Sequence, residues 1–185
     1  MSIEITSISQ ANFHHLFDWS EGSTNPHDVG CRFCLYWEEP DSSKWPSSLG
    51  ERGEVKKQWF REVEAEFGPC GKLAFLRDKP VGYAQFAPPR HLPKIAEYTC
   101  GPPGDEAIFM SCLHVPPGER RKGFGLALLQ AILQDLRARG VPAVETFARR
   151  SSANNCSGPL EFWLKHGFHI VREDADFALM RRELQ

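Results

Sequence analysis

The sequence lacks the features that mark membrane and secreted proteins. No stretch approaches the about 20 consecutive apolar residues that span a bilayer. The amino-terminal residues 1–5 have neither the basic flank nor the long apolar run of a signal peptide. Cysteine is sparse, with 6 residues in a chain of 185, which is too few for a disulfide scaffold. We therefore expect an intracellular, cytoplasmic protein whose cysteines are mostly thiols.

An excess of charge of one sign is also missing. Lys plus Arg is 22 and Asp plus Glu is 24, which gives a net charge of -2. This balance argues against a broad basic surface that would bind nucleic acid or an anionic membrane electrostatically, so neither is an expected partner. The length suits a single domain over residues 1–185, present as a monomer or a homodimer.

The pattern of apolar residues predicts strands that alternate with helices. A mixed α/β sheet covered by helices is the expected fold class. Residues 20–53, here called the excursion, are irregular and rich in Gly, Pro and Ser. The predicted helices cover residues 12–19, 54–67, 124–139 and 157–166, the last with Ser157 as N-cap. The predicted strands cover residues 3–8, 72–77, 81–86, 107–115, 141–148, 168–171 and 177–182.

The helix predicted at 54–67 is amphipathic. Val55, Trp59, Val63 and Phe67 recur at spacings of four, which places them on one face of a helix. This face is expected to pack against the core.

The most informative segment is the basic, glycine-bearing loop between the strand 107–115 and the helix 124–139. Gly123 and Gly125 let the backbone approach an anion without interference from a Cβ. The first amides of a helix lack intrahelical acceptors, and the helix dipole adds positive potential there. Three cations precede the helix on the same turn: Arg120, Arg121 and Lys122. A pyrophosphate suits this arrangement, and the alternative is a pair of ordinary turn glycines beside a solvated basic face.

Two other phosphate-binding motifs are excluded by spacing. The loop reads R-x-x-G-x-G and not G-x-G-x-x-G, so it is not a dinucleotide-binding fingerprint. No Gly-Lys-Ser or Gly-Lys-Thr follows, so it is not a nucleoside triphosphate loop either.

The segment resembles the acetyl-CoA motif of the GNAT superfamily, commonly written Q/R-x-x-G-x-G/A. Arg120, Gly123 and Gly125 fill its three defined positions, and Val115-Pro116-Pro117 matches the Val-x-Pro that precedes it in that family. The family's closing element, a short helix that ends in Gly-Phe, is matched by residues 162–168. The resemblance runs from about Leu73 to the carboxyl end.

The resemblance implies an N-acetyltransferase that moves an acetyl group from acetyl-CoA to an amine by direct attack on the thioester. It implies a mostly antiparallel sheet that splays open between two parallel strands, 107–115 and 141–148, with pantetheine in the opening. Backbone groups near Leu113 and Val115 would bond the pantetheine and polarise the thioester carbonyl. The implied residues that bind CoA are Leu113, His114, Val115, Arg120, Arg121, Lys122, Gly123, Phe124, Gly125, Leu126, Ala127, Asn155 and Phe162.

The sequence departs from the family at the positions that carry acid and base. Where many relatives have a Tyr that protonates the departing sulfur, this chain has Trp163. Where they have Glu or His on the strand, it has Ser111 and Phe109. The catalytic candidates are therefore Ser111, Trp163, Glu145, Tyr36 and Glu38, with Glu39 as a further carboxylate of the excursion.

The motif Cys31-x-x-Cys34 leaves three interpretations open: half of a zinc site, a redox pair, or two packed thiols. A structural zinc site needs four ligands, and no spacing among His27, Cys70, His91 and Cys100 supports one, so no metal is expected. The alternatives to an acetyltransferase are a CoA-binding module with weak or no catalysis, and a thiol- or metal-based regulator on the same scaffold.

Overall fold

The computed structural model describes residues 3–17, 32–150 and 158–184. Within them a sheet of 7 strands has the order β1-β2-β3-β4-β5-β7-β6. All neighbouring strands are antiparallel except β4 and β5, which confirms the predicted mixed sheet with its parallel pair. The strands are β1 (Glu4–Ser7), β2 (Gly71–Leu76), β3 (Lys79–Ala87), β4 (Ala107–His114), β5 (Ala143–Arg149), β6 (His169–Glu173) and β7 (Phe177–Glu183).

Helices cover both faces of the sheet. The α-helices of the described ranges are α1 (His14–Phe17), α2 (Leu49–Phe67), α3 (Phe124–Ala138) and α4 (Leu160–Lys165). Short 3-10 turns lie at Ser42–Lys44, Pro89–His91, Pro93–Glu97 and Pro117–Glu119. None of the helices in these ranges combines the length and the apolar character needed to cross a bilayer.

Two apolar cores follow from this layering. One core joins the sheet to α3 and α4 and includes Leu129, Leu133 and Trp163. The other joins the opposite face to α1 and α2 and includes Trp37, Trp59 and Phe109. Burial of apolar surface on both sides is what holds the sheet between its helices.

The helix α2 begins at Leu49, five residues before the predicted start. Ser48 accepts a hydrogen bond from N of Glu51 at 3.2 Å, and its hydroxyl donates to Oε2 of Glu51 at 2.8 Å. Ser48 is thus the N-cap of α2, and the S-x-x-E signature typical of capping boxes is present in the sequence, although Glu51 here accepts from the hydroxyl of Ser48. The irregular part of the excursion therefore ends at Ser48.

The buried face of α2 also differs from the prediction. Val55 is 41% exposed, so it does not belong to the core-facing side. Lys56 takes that place and is buried together with Trp59, Phe60 and Val63. The apolar pattern was ambiguous because Val55 and Lys56 lie next to each other and only packing decides which of them turns inward.

The helix α4 begins at Leu160, with Pro159 in extended backbone at its N-cap position. The predicted start at Ser157 is therefore wrong for the helix, and Ser157 itself lies outside the described residues. Proline has no N–H to contribute to a helix and fits the extended cap instead.

Candidate active site

The central feature of the site is the separation of β4 from β5. Their backbones pair at Ala107 with Ala143, Ile108 with Val144 and Phe109 with Glu145. Beyond Phe109, the described bond between the two strands comes from a side chain, Oγ1 of Thr146, which donates to the carbonyl of Met110 at 2.8 Å. β4 continues to His114, and β5 continues to Arg149 with its pairing to β7, which runs along the whole strand. A gap therefore opens inside the sheet next to residues 110–114.

A β-bulge lies on β4 at this gap. Gln85 of β3 pairs with Cys112, whereas the next residue Phe86 pairs with Met110, which leaves Ser111 as the extra residue. The buried hydroxyl of Ser111 donates to the carbonyl of Gln85 at 3.2 Å. Bulges bend a strand and increase its twist, so this one helps turn β4 away from β5.

The loop after β4 is shaped by two residues in the left-handed region. Arg121 has φ 62° and Gly123 has φ 93°, a conformation that glycine adopts without steric cost. Nε of Arg120 donates to the carbonyl of Val115 at 3.0 Å. Lys122 forms an ion pair with Glu119 at 3.1 Å. These contacts fold the loop into a compact turn that leads directly into α3.

The amino-terminal end of α3 offers backbone donors to solvent. Gly123 is its N-cap, and no side chain caps it. Residues 124–126 therefore have amides without acceptors inside the helix. Phe124 is buried and anchors this end, while a Cβ built on Gly125 meets only Cγ2 of Val115 at 3.9 Å. Leu126 and Ala127 are half-buried. The loop and the helix end thus form a cradle of donors with room for an anion.

The remaining residues predicted to bind CoA fall into three places. Leu113 and Val115 are half-buried at the end of β4, with the buried His114 between them. Phe162 is half-buried on α4, its ring 4.6 Å from that of His166. Asn155 lies outside the described residues. The structure therefore brings the cradle and the end of β4 together, and puts Phe162 on a separate element.

Two of the catalytic candidates, Trp163 and Glu145, make contacts that stabilise the fold. Trp163 is fully buried in the core, with its ring 5.1 Å from Phe162 and 4.9 Å from Phe168. Both oxygens of Glu145 already accept: Oε1 from Arg181 at 2.8 Å and Oε2 from N of Gly104 at 2.8 Å.

Tyr36 lies on a cleft of ≈ 360 Å³ on the face of the sheet that carries α1 and α2. Its hydroxyl is 3.0 Å from that of Tyr98, and the Tyr98 ring stacks on Phe147 of β5 at 4.2 Å. Phe147 in turn contacts Phe109, where β4 and β5 part. The cleft therefore lies beside the gap. Its lining consists of Tyr36, Glu97, Tyr98, Thr99, Asp174, Ala175, Asp176 and Phe177.

One carboxylate of the cleft is held strongly ionised. Asp174 accepts from the hydroxyl of Thr99 at 2.6 Å and from the amides of Phe177 and Asp176. The Thr99 bond, followed by these two backbone bonds, lowers the pKa of Asp174 to about 2. The cleft thus keeps a fixed negative charge at any physiological pH.

Glu38 belongs to a buried polar cluster with Lys56 and Gln85. Nζ of Lys56 lies 2.5 Å from Oε1 of Glu38, and the two side chains are 0% and 4% exposed. Nε2 of Gln85 donates to the same oxygen at 2.6 Å. Lys56 also donates to the carbonyl of Cys34 at 2.8 Å. We call these three side chains the Glu38 cluster.

Sequence reasoning missed Lys56, Gln85 and the acidic side of the cleft. Lys56 lies next to the apolar Val55 of α2, and this position is only a weak indication in the sequence of a buried ion pair. Nothing in the sequence indicated that Asp174 and Asp176 line a cleft, because an acidic turn between two strands is common on protein surfaces.

The cysteine motif is described only in part, since Cys31 lies outside the described residues. Cys34 is a half-buried thiol. Burial raises the pKa of the Cys70 thiol to about 12, as it does to about 11 for Cys100. Among residues 3–17, 32–150 and 158–184, no group of three or more His, Cys, Asp or Glu side chains has the arrangement of a metal site.

Comparison with known proteins gives a family and a fold. The model of the acetyltransferase (GNAT) family matches residues 32–168. No curated protein matches the chain significantly. Among solved structures, a PaiA N-acetyltransferase from Thermoplasma acidophilum in complex with coenzyme A is similar at TM-score 0.62 and 15% identity, over 99% of both chains.

Two further structures have the same fold. An N-acetyltransferase from Staphylococcus aureus Mu50 is similar at TM-score 0.63 and 16% identity over 100% of both chains. The ribosomal-protein-S18-alanine N-acetyltransferase from Escherichia coli is similar at TM-score 0.58 and 15% identity, over 100% of this chain and 95% of the other.

Proposed function

Because the chain belongs to the acetyltransferase (GNAT) family, we propose that it transfers an acetyl group from acetyl-CoA to an amine. The observation that carries this proposal is that the gap in the sheet and the cradle follow each other along one chain segment. β4 lines the gap, and the loop after it leads into the uncapped amino-terminal end of α3. A long ligand with an anionic middle and an extended arm suits this path.

The cradle supports the anionic part of the ligand. The free amides of residues 124–126 and the positive end of the α3 dipole stabilise phosphate oxygens. Gly125 lets a pyrophosphate come close, because it has no side chain and a Cβ there would meet only Cγ2 of Val115, at 3.9 Å. Arg121 and Lys122 are exposed on the same turn and add positive charge.

The gap supports the pantetheine arm. Residues 110–114 of β4 have no described backbone pairing on the side facing β5. Amide-bearing ligands bind such a strand edge by completing its hydrogen bonds. An N–H of β4 near Leu113 would also polarise the thioester carbonyl, as oxyanion stabilisation requires.

The cleft supports an amine as the acceptor. Carboxylates of Glu97, Asp174 and Asp176 line it together with the rings of Tyr36 and Tyr98. Lys94 already pairs with Glu97 and lies over the Tyr36 ring, and the Tyr98 ring stacks on Trp37 and Phe147. The negative charge of Asp174 and Asp176 is therefore what attracts an ammonium group. The Tyr98 ring lies between the cleft and Phe147 of β5, so an amine bound in the cleft would lie near the gap on the face of the sheet opposite α3.

The proposal predicts binding and turnover that can be measured separately. Saturating CoA should raise the melting temperature, with a gain of about 2.7 kcal/mol at 100 times the dissociation constant. Acetyl-CoA with a panel of primary amines should release free thiol. Gly125→Asp should abolish both effects with little loss of stability, since its Cβ meets no close contact.

The matched control is Gly118→Asp in the same loop, where a Cβ also meets open space. It adds the same charge away from the helix end and should retain CoA binding. If CoA leaves the melting temperature unmoved, or if both variants bind CoA as the wild type does, the proposal is wrong. CoA binding without thiol release on any amine would favour a CoA-binding module, which Phe109 and Ser111 at the family's base positions make the second candidate.

A further inference from the structure

The Glu38 cluster contains two buried hydrogen-bond acceptors that the described protein does not satisfy. Oε1 of Glu38 receives both Lys56 and Gln85. Oε2 of Glu38 and Oε1 of Gln85 are buried and have no hydrogen-bond partner within the described residues. Buried polar atoms almost always find a partner, so this pair of oxygens calls for a bound donor such as an ordered water.

The cluster lies next to the part of β4 that faces the gap. Gln85 pairs across the sheet with Cys112 and accepts a hydrogen bond from Ser111. Ser111 and Cys112 both follow Phe109, the last residue of β4 that pairs with β5. Gln85 therefore belongs to the strand next to β4, and its side chain is hydrogen-bonded to Glu38.

The same segment of the excursion also reaches the cleft. Trp37, the neighbour of Glu38, contacts Phe109 at 5.4 Å and stacks on Tyr98 at 5.7 Å. Tyr36 lines the cleft itself. Glu38 is thus two residues along the chain from Tyr36 of the cleft and is joined by a hydrogen bond to Gln85, which pairs with β4.

We propose that Glu38 is the proton acceptor of the reaction, acting through a water held by its Oε2 and by Oε1 of Gln85. This assignment rests on the proposed function. Glu38, which belongs to the excursion, would then take the place of the base that β4 lacks, because β4 has Ser111 and Phe109 at the positions where the family has a base.

The proton balance of the step is complete. The acceptor enters as an ammonium and gives one proton through the water to Glu38. The neutral amine attacks the acetyl carbon, and the bond between that carbon and sulfur breaks. The second proton, lost as the amide forms, goes to the departing thiolate of CoA. Lys56 and Gln85 hold Oε1 and leave Oε2 for the water.

The charged and titratable groups around Glu38 come from three elements. They are Lys56 of α2, the thiol of Cys112 on β4, and the thiol of Cys34 in the excursion. Burial acts to lower the pKa of Lys56, but the neighbouring Glu38 carboxylate, with smaller contributions from Cys112 and Cys34, leaves that pKa raised. Lys56 therefore stays charged at neutral pH and keeps its bond to Oε1.

The test is the pH profile of Glu38→Gln with a primary amine that the wild type acetylates. At pH 7 we expect kcat/KM to fall by about 100-fold or more, the usual range for general base catalysis. The loss should shrink by about tenfold per pH unit as the pH approaches the pKa of the amine, near 10.4 for an alkylamine, because the free amine then needs no base. KM for acetyl-CoA should not change.

The matched control is Glu54→Gln, which removes the carboxylate of the exposed pair with Lys57 and should behave as the wild type. Should Glu38→Gln not fold, the double variant Glu38→Gln with Lys56→Met removes both charges of the pair and leaves no lone buried charge. Its pH profile should match the one expected for the single variant.

The outcomes separate this assignment from the proposed function. Equal kcat/KM at pH 7 for Glu38→Gln and Glu54→Gln overturns the assignment. A loss that is constant from pH 7 to pH 10, as a purely structural role would produce, overturns it as well. A wild type that acetylates no amine refutes the proposed function together with its base.

Discussion

Lys56→Met should destabilise the fold by about 3–5 kcal/mol, because it removes one partner of a buried ion pair and leaves the other uncompensated. The side chains of Lys56 and Glu38 are 0% and 4% exposed, so solvent does not screen the charge that remains. The loss includes the bond from Lys56 to the carbonyl of Cys34. Urea unfolding at pH 7, with linear extrapolation to water, measures the change in the free energy of unfolding.

The neighbouring residue provides a control of the same chemical type. Lys57 pairs with Glu54 at 2.7 Å, but their side chains are 27% and 66% exposed. Exposed pairs of this kind contribute about 0–1 kcal/mol, so Lys57→Met should change little. Adding Glu38→Gln to Lys56→Met should restore most of the stability. Equal losses for Lys56→Met and Lys57→Met, or no recovery in the double variant, would refute the reasoning.

The contribution of Lys56 also has a defined pH dependence. Burial is the largest influence on Lys56 and acts to lower its pKa, but Glu38, with Cys112 and Cys34, together leave that pKa raised above its ordinary value of 10.5. A raised pKa in the folded state gives stability that is present below the unfolded pKa and lost as the pH rises through the folded pKa. The difference in the free energy of unfolding between the wild type and Lys56→Met should therefore persist at pH 9 and become smaller only above about pH 10.5.

Two further variants test other parts of the structure. Trp163→Tyr should cost about 0.5–3 kcal/mol, the usual range for a single substitution, because the smaller ring leaves part of the core unfilled. It should not speed acetyl transfer, since Trp163 is fully buried; a faster chemical step in single-turnover kinetics would contradict this. Asp174→Asn should lower the melting temperature at pH 7, because the ionised carboxylate accepts from Thr99, Asp176 and Phe177. The pKa of Asp174 is lowered to about 2, so its stabilisation is present above the ordinary value of 3.8 and lost as the pH falls through 2. If the difference in melting temperature between the wild type and Asp174→Asn does not become smaller between pH 5 and pH 2, this role is contradicted.

The sequence alone determined the cradle and the elements around it. Residues 113–127 are contiguous, so their glycines, their cations and the start of α3 indicate a backbone arrangement without knowledge of the rest of the chain. The hairpin of β2 and β3 and the helix α3 were predicted within about two residues for the same reason, since turn residues and apolar spacing act locally. The S-x-x-E signature at Ser48 was equally local and could have been used to place the start of α2.

Only the tertiary structure decided the other half of the site. The Glu38 cluster joins the excursion, α2 and β3, with 18 residues between Lys56 and Glu38 and 47 between Gln85 and Glu38. The cleft joins Tyr36 to Tyr98 over 62 residues and Thr99 to Asp174 over 75. Local propensity carries no information about such pairs, because they are fixed by which faces of the sheet and helices pack together. Packing also decided which side of α2 faces the core. It buried Lys56 and left Val55 exposed, which placed the charge of Lys56 next to Glu38.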